Sequence, residues 1–72
     1  MALRLTNRLK VARAERGLSQ SELAAMAGVT RQTVSSIETG QYCPSALLAF
    51  TMAKRLGKHV EELFALEGED DE

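Results

Sequence analysis

Arg31, Gln32 and Thr33 stand in a row, and each carries a group able to read the edge of a base pair. The arginine fork of donors fits guanine O6 and N7. The glutamine amide can pair with adenine N6 and N7, and a threonine methyl can pack on a thymine methyl. Ser36 falls one turn further along the same helical face, within reach of a base or a phosphate. Alone, such a row is most simply a solvated helix face. Its setting decides otherwise, because Thr30 just before it can cap a helix, which places the row in a first turn.

No comparable set exists for catalysis or metal binding. A nucleophile–base pair is not apparent, and Glu38 has no second carboxylate near it in the pattern. The one cysteine, Cys43, and the one histidine, His59, are far apart in sequence, so a tetrahedral metal site lacks ligands. No enzyme activity, cofactor or metal is expected, and His59 is expected at the surface.

The elements that must position this row are marked by caps and stops. Thr6 is the expected cap of a first helix, with Leu9 and Ala12 on one face. Gly17 is a natural left-handed stop, and Leu18 can fold back after it. Ser19 caps a second helix, with Glu22 three residues on to complete a capping box and Leu18 and Leu23 as a hydrophobic staple. Leu23, Ala24 and Ala27 face inward. Gly28 stops this helix after barely two turns. Thr30 caps the third, with Val29 and Val34 repeating the staple and Val34 and Ile37 on the buried side. Gly40 ends it. Ser45 caps a fourth helix over 46–56, with Ala46, Ala49, Met52, Ala53 and Leu56 on one arc. Leu47 shares the opposite arc with Thr51 and Lys54 and should face outward. Gly57 precedes a short fifth helix over about 60–64, whose Glu61 and Glu62 suit a first turn. Two short helices joined by a tight turn, over 19–39, form a helix-turn-helix, the arrangement that lays side chains in a major groove.

Leu3–Leu5 and Phe64–Leu66 are too short for helices. They can pair as a small two-stranded antiparallel ribbon, although isolated ribbons are weak. The expected fold class is therefore all-α: a compact five-helix domain over residues 1–66, with a ribbon from its terminal segments and a disordered acidic tail over 67–72.

The chain has 72 residues and a net charge of −1. A domain of this size buries only about 60% of its unfolded surface, so association would help it. The whole-chain charge hides a split. Residues 1–59 hold all nine Lys and Arg with three acids, a balance of +6, and residues 60–72 hold seven acids and no base, −7. A basic body suits nucleic acid. Glu67, Glu69, Asp70, Asp71 and Glu72 read most simply as a solubilising end. A single unpaired cysteine points to a reducing, cytoplasmic setting. No apolar run approaches the ~20 residues of a membrane span.

The stretches Gly17-Leu18-Ser19-Gln20-Ser21-Glu22-Leu23-Ala24, Gly28 to Ser35, Ile37-Glu38-Thr39-Gly40 and Tyr42-Cys43-Pro44-Ser45 together resemble the phage repressor/Cro, or XRE, family of helix-turn-helix regulators over about 7–64. The likeness is strongest to short stand-alone members. It implies base contacts from Arg31, Gln32, Thr33 and Ser36. It implies phosphate contacts from Gln20, Thr30, Thr39, Gln41 and Tyr42, with Gln20 also bracing the recognition helix. It implies a partly buried ion pair between Arg13 and Glu38, and a homodimer with a small terminal sheet. Three positions depart from the pattern. Cys43 stands where Asn is frequent. Lys58 and His59 replace an apolar residue and a Ser or Thr, which leaves the fifth helix poorly capped.

The expected function is that of a sequence-specific DNA-binding transcription regulator, a repressor acting as a homodimer on a palindromic operator. The expected dimer interface is built from Leu47, Leu48, Phe64 and Leu66. No domain remains for a small effector, so control would come from protein level, a regulatory protein partner or competition at the operator. The alternative is an antitoxin or accessory protein, whose apolar surface near Leu47, Leu48 and Phe64 engages a different chain.

Overall fold

The computed structural model describes Ala2–Glu69. In chain order its elements are β1 (Ala2–Asn7), α1 (Leu9–Glu15), α2 (Gln20–Ala27), α3 (Arg31–Glu38), α4 (Ala46–Leu56), α5 (Val60–Leu63) and β2 (Phe64–Glu69). The three middle helices start as their sequences dictate. Ser19 Oγ accepts from Glu22 N–H at 3.0 Å, and the Glu22 carboxylate accepts from Ser19 N–H at 2.8 Å. These two bonds satisfy donors that a helix start leaves without partners. Thr30 Oγ1 accepts from Thr33 N–H and Ser45 Oγ from Leu48 N–H in the same way. Between α2 and α3, Gly28 sits at φ +74°. That left-handed conformation costs a side chain with a Cβ about 1–2 kcal/mol.

Several expectations need correction. Thr6 does not cap α1. It lies in β1 and donates through Oγ1 to Ala65 O at 3.2 Å. The cap is supplied by Asn7, whose Oδ1 accepts from Leu9 N–H at 3.1 Å. The start of α5 is better held than its sequence suggests. His59 gives no side-chain cap, but Glu62 reaches back to accept from His59 N–H at 2.7 Å. The acidic end does not begin at 67. β2 runs on through Glu69, paired antiparallel with β1 in the register Ala2↔Glu69, Arg4↔Glu67, Leu5↔Leu66 and Asn7↔Phe64. Gly68 permits this, since a Cβ there would overlap the Ala2 carbonyl. Asp70, Asp71 and Glu72 lie outside the described residues. With two six-residue strands, the fold is a five-helix domain carrying a small antiparallel sheet rather than strictly all-α.

All five helices and the root of β2 contribute to one core. Leu9, Leu23, Val34, Ile37, Met52, Leu56 and Leu63 are essentially fully buried, with Ala12, Ala24, Ala49, Ala53 and Phe64 packed among them. The small residues on α2 and α4 let those helices approach closely. Ala46, expected on the buried arc, is exposed because the arc begins a turn later, at Ala49. Leu18, Val29 and Val60 lean on the core from its edge. Arg16 closes the back of the domain by donating to Leu56 O at 2.9 Å, and Arg55 ties α4 to α2 through Met26 O at 3.0 Å.

Candidate nucleic-acid interface

α3 is amphipathic in the literal sense. Val34 and Ile37 are buried, and Arg31 and Gln32 are exposed at its first turn. Thr33 and Ser36 are half-buried on the flank of the same surface. Gln32 Nε2 lies 3.4 Å from Ser36 Oγ, a long contact that a base edge can replace. Thr30 and Thr33 hydroxyls are 3.1 Å apart, so one donates to the other and one proton remains free to reach out. The backbone N–H groups of the first turns of α2 and α3 are the donors that a helix start presents to an anion.

α3 is held in place by a polar network on its hidden side. Arg13 Nε donates to Glu38 Oε2 at 2.8 Å, and its second nitrogen donates to Leu18 O at 2.9 Å. Gln20 Nε2 donates to Glu38 Oε1 at 3.0 Å. The side chains of Arg13 and Glu38 are only 15% and 5% exposed, so this ion pair is shielded from water. α1, α2 and the end of α3 thus meet at one carboxylate. Gln20 uses one amide proton on this brace and keeps the other for a ligand. Thr39, in contrast, spends its hydroxyl proton on the last carbonyls of α3, Ser35 O and Ser36 O, which weakens its case as a phosphate donor. Gln41 and Tyr42 are exposed, and their backbone N–H groups both bind Ser36 O, so only their side chains are available.

Burial acts to raise the pKa of Glu38. Hydrogen bonds from Arg13 and Gln20, together with the fields of Arg13 and Lys10, outweigh it and hold the carboxyl below the usual glutamate value. A carboxylate with a depressed folded-state pKa stabilises the protein fully above its unfolded value, about 4.3. That contribution is lost as pH falls through the folded value. Glu22, held down by its hydrogen bonds to Ser19, acts in the same direction. The urea midpoint is therefore expected to drop as pH is lowered from 5 toward 3, and Glu38→Gln should flatten part of that drop. Equal slopes for the two proteins would refute the role given to Glu38.

Two functional candidates escaped sequence reasoning. Lys10 is exposed and close enough to Glu38 to act on its charge. It stands one turn before Arg13 on α1, a spacing that could have revealed it. Phe50 is 61% exposed on α4, three residues after Leu47 and on the outer side of the helix from the buried arc of Ala49, Met52, Ala53 and Leu56. The apolar positions expected at an interface divide. Leu47 and Leu66 are 79% and 66% exposed, Leu48 is half-buried against the core, and Phe64 at 9% is part of the core. Phe64, at the root of β2, is consumed in the core that it shares with Leu63 and the helices.

A helix-turn-helix with an exposed polar first turn on its second helix defines a DNA-binding regulator. The Helix-turn-helix family matches residues 9–63, and the chain belongs to that family, in its XRE branch. It is similar to an uncharacterized HTH-type transcriptional regulator of Methanocaldococcus jannaschii, 47% identical over 68 residues, 94% of this chain and 100% of the relative. A Bacillus subtilis protein of the same description is 46% identical over 66 residues, 92% and 100% of the two chains. Among solved structures it resembles the restriction-modification controller protein C.AhdI from Aeromonas hydrophila. There the TM-score is 0.73 at 34% identity, covering 76% of this chain and 83% of the other. Its family is that of helix-turn-helix transcriptional regulators, and the chain is a regulator rather than an enzyme. Among the described residues no helix is long and apolar enough to cross a membrane.

Proposed function

We propose that this protein is a sequence-specific repressor that binds a palindromic operator as a homodimer. The observation that carries the reading is the first turn of α3. Arg31 and Gln32 project from it into solvent, while Glu38, at the other end of the same helix, is locked to α1 and α2. A presented, immobilised polar turn is what base readout requires, since side chains held in one geometry lose less entropy on binding. Each subunit would lay α3 in a major groove, with the two copies about 34 Å apart along the duplex. Gln20, Thr30, Gln41 and Tyr42 would contact phosphates, and exposed Lys10 is proposed to join them. Repression is the direct output of covering promoter DNA.

The dimer is proposed to form through the β1–β2 ribbon. Cross-strand partners share a face, so Leu3, Leu5 and Leu66 lie on one side of it. Leu3 and Leu66 remain 38% and 66% exposed. A ribbon of two strands is weak by itself, and a two-fold copy would cover this side. The alternative, an accessory protein that acts through a different chain, draws on Leu47 and Phe50 of α4. The groove beside Leu47, lined also by Val29, Leu48 and Thr51, has no lining residue in common with the groove under the ribbon.

Gln32→Ala is expected to relax base preference and weaken the best site by about 1–3 kcal/mol. Gln20→Ala should weaken all DNA by a similar factor whatever its sequence. Binding sites selected from a random pool measure both. An unchanged motif and affinity in Gln32→Ala would remove α3 from the role of reading helix.

A further inference from the structure

We infer that Asn7 is a positioning residue that sets the distance and rotation between the two reading helices, and so the half-site spacing the protein accepts. The inference rests on the ribbon-joined dimer proposed above. In that dimer the operator spacing depends on how rigidly each α3 is tied to its own ribbon, because the ribbon carries the two-fold contact. The ties are few. An open groove of about 640 Å³ separates β1 from the end of α3 and the loop after it, lined by Leu5, Ile37, Tyr42 and Pro44 among others. Apolar packing holds the ribbon only at its root, where Phe64 shares the core with Ile37 and Leu5 leans on it.

Asn7 spans this gap. It is the last residue of β1 and pairs with Phe64, the buried first residue of β2. Its Nδ2 donates to Ile37 O at 2.9 Å, in the last turn of α3. Its Oδ1 accepts from Leu9 N–H at 3.1 Å, at the start of α1. Among the described residues this is the one hydrogen bond that joins the ribbon to α3. One half-buried amide thus meets the ribbon, the first helix and the reading helix, and uses its donor and its acceptor on different elements. Ile37 O also accepts from Gly40 N–H at 3.0 Å, so the amide adds a second bond to a carbonyl that has two lone pairs. The chemistry separates the two duties. Asp or Ser at this position keeps an acceptor for Leu9 N–H. Neither can donate to Ile37 O as the amide does, since a carboxylate has no proton and a serine is a bond too short.

The consequence is geometric. Moving a half-site by one base pair displaces it by about 3.4 Å along the duplex and turns it by about 34°. A rigid subunit rejects such a shift, and one that pivots at the ribbon root tolerates it. The test uses the full chain and a series of duplexes carrying the selected half-site as inverted pairs, with separation stepped one base pair at a time. The unmodified protein should favour one separation over its neighbours by about tenfold or more. In Asn7→Asp and Asn7→Ser that preference should shrink to about threefold or less, with base preference inside each half-site and the dimer retained. Circular dichroism and light scattering at the assay concentration check fold and association. If one variant fails to fold, the other carries the test. A separation profile unchanged in the folded variants would overturn the role of Asn7 and leave the dimer standing. Loss of fold or of dimer in both variants would also overturn it, because Asn7 would then serve the fold alone. If the unmodified protein is a monomer or is indifferent to separation, the ribbon-joined dimer itself falls, and this inference with it.

Discussion

Lysine in place of Leu66 is expected to convert operator binding into weak half-site binding while the helices stay formed. Leu66 is 66% exposed and lies outside the core, paired with Leu5 on the apolar side of the ribbon. A charge there costs the monomer little but would sit in the middle of the proposed two-fold contact. Two linked reading helices gain about 10²–10⁴ in apparent affinity over one, because the second half-site is met at high local concentration. Breaking the link should lose that factor on a palindrome and nothing on an isolated half-site. Light scattering, far-ultraviolet circular dichroism and fluorescence anisotropy on both duplexes measure the three quantities. A Leu66→Lys protein that remains dimeric and holds its operator affinity would exclude the ribbon as the interface. Phe64 cannot serve as this probe, although it was expected at the interface. It is 9% exposed, and cutting a buried phenylalanine to alanine costs about 3–5 kcal/mol of folding stability.

Removal of either Arg13 or Glu38 alone is expected to destabilise the fold by about 3 kcal/mol, and removal of both by clearly less than the sum. The pair is shielded, and its members are bound to other groups as well. Without Arg13, Glu38 keeps only Gln20 as a hydrogen-bond partner and stays largely out of water. Without Glu38, Arg13 retains Leu18 O, which satisfies a donor but not the charge. The double substitution leaves no stranded ion. Denaturation of the four proteins at neutral pH gives the coupling directly. Strictly additive losses would mean that the two side chains act independently. The singles should also weaken all DNA sequences, since the network orients α3 without touching a base.

Most of the helical frame was legible in the chain because its determinants are local. The box of Ser19 with Glu22, the caps Thr30 and Ser45, and the left-handed turn at Gly28 are settled within three or four residues, and each appears where the residues put it. The reading turn of α3 was legible for the same reason, since a cap followed by Arg31, Gln32 and Thr33 needs no distant partner. The resemblance to XRE regulators added the approach of Arg13 and Glu38, which are 25 residues apart and joined only by packing. Four features were decided by tertiary structure alone. Thr6 lost the α1 cap to Asn7 because β1 claims it for a ladder with residues about 60 positions away. Glu67 and Glu69 joined a strand, against their charge, because β1 offers them partners. Phe64 was taken from the expected interface by the core that it shares with Leu63 and the helices. Asn7 found Ile37 O only after the ribbon and α3 had been brought together. In each case the deciding bond or contact lies far along the chain, where neither periodicity nor capping chemistry reaches.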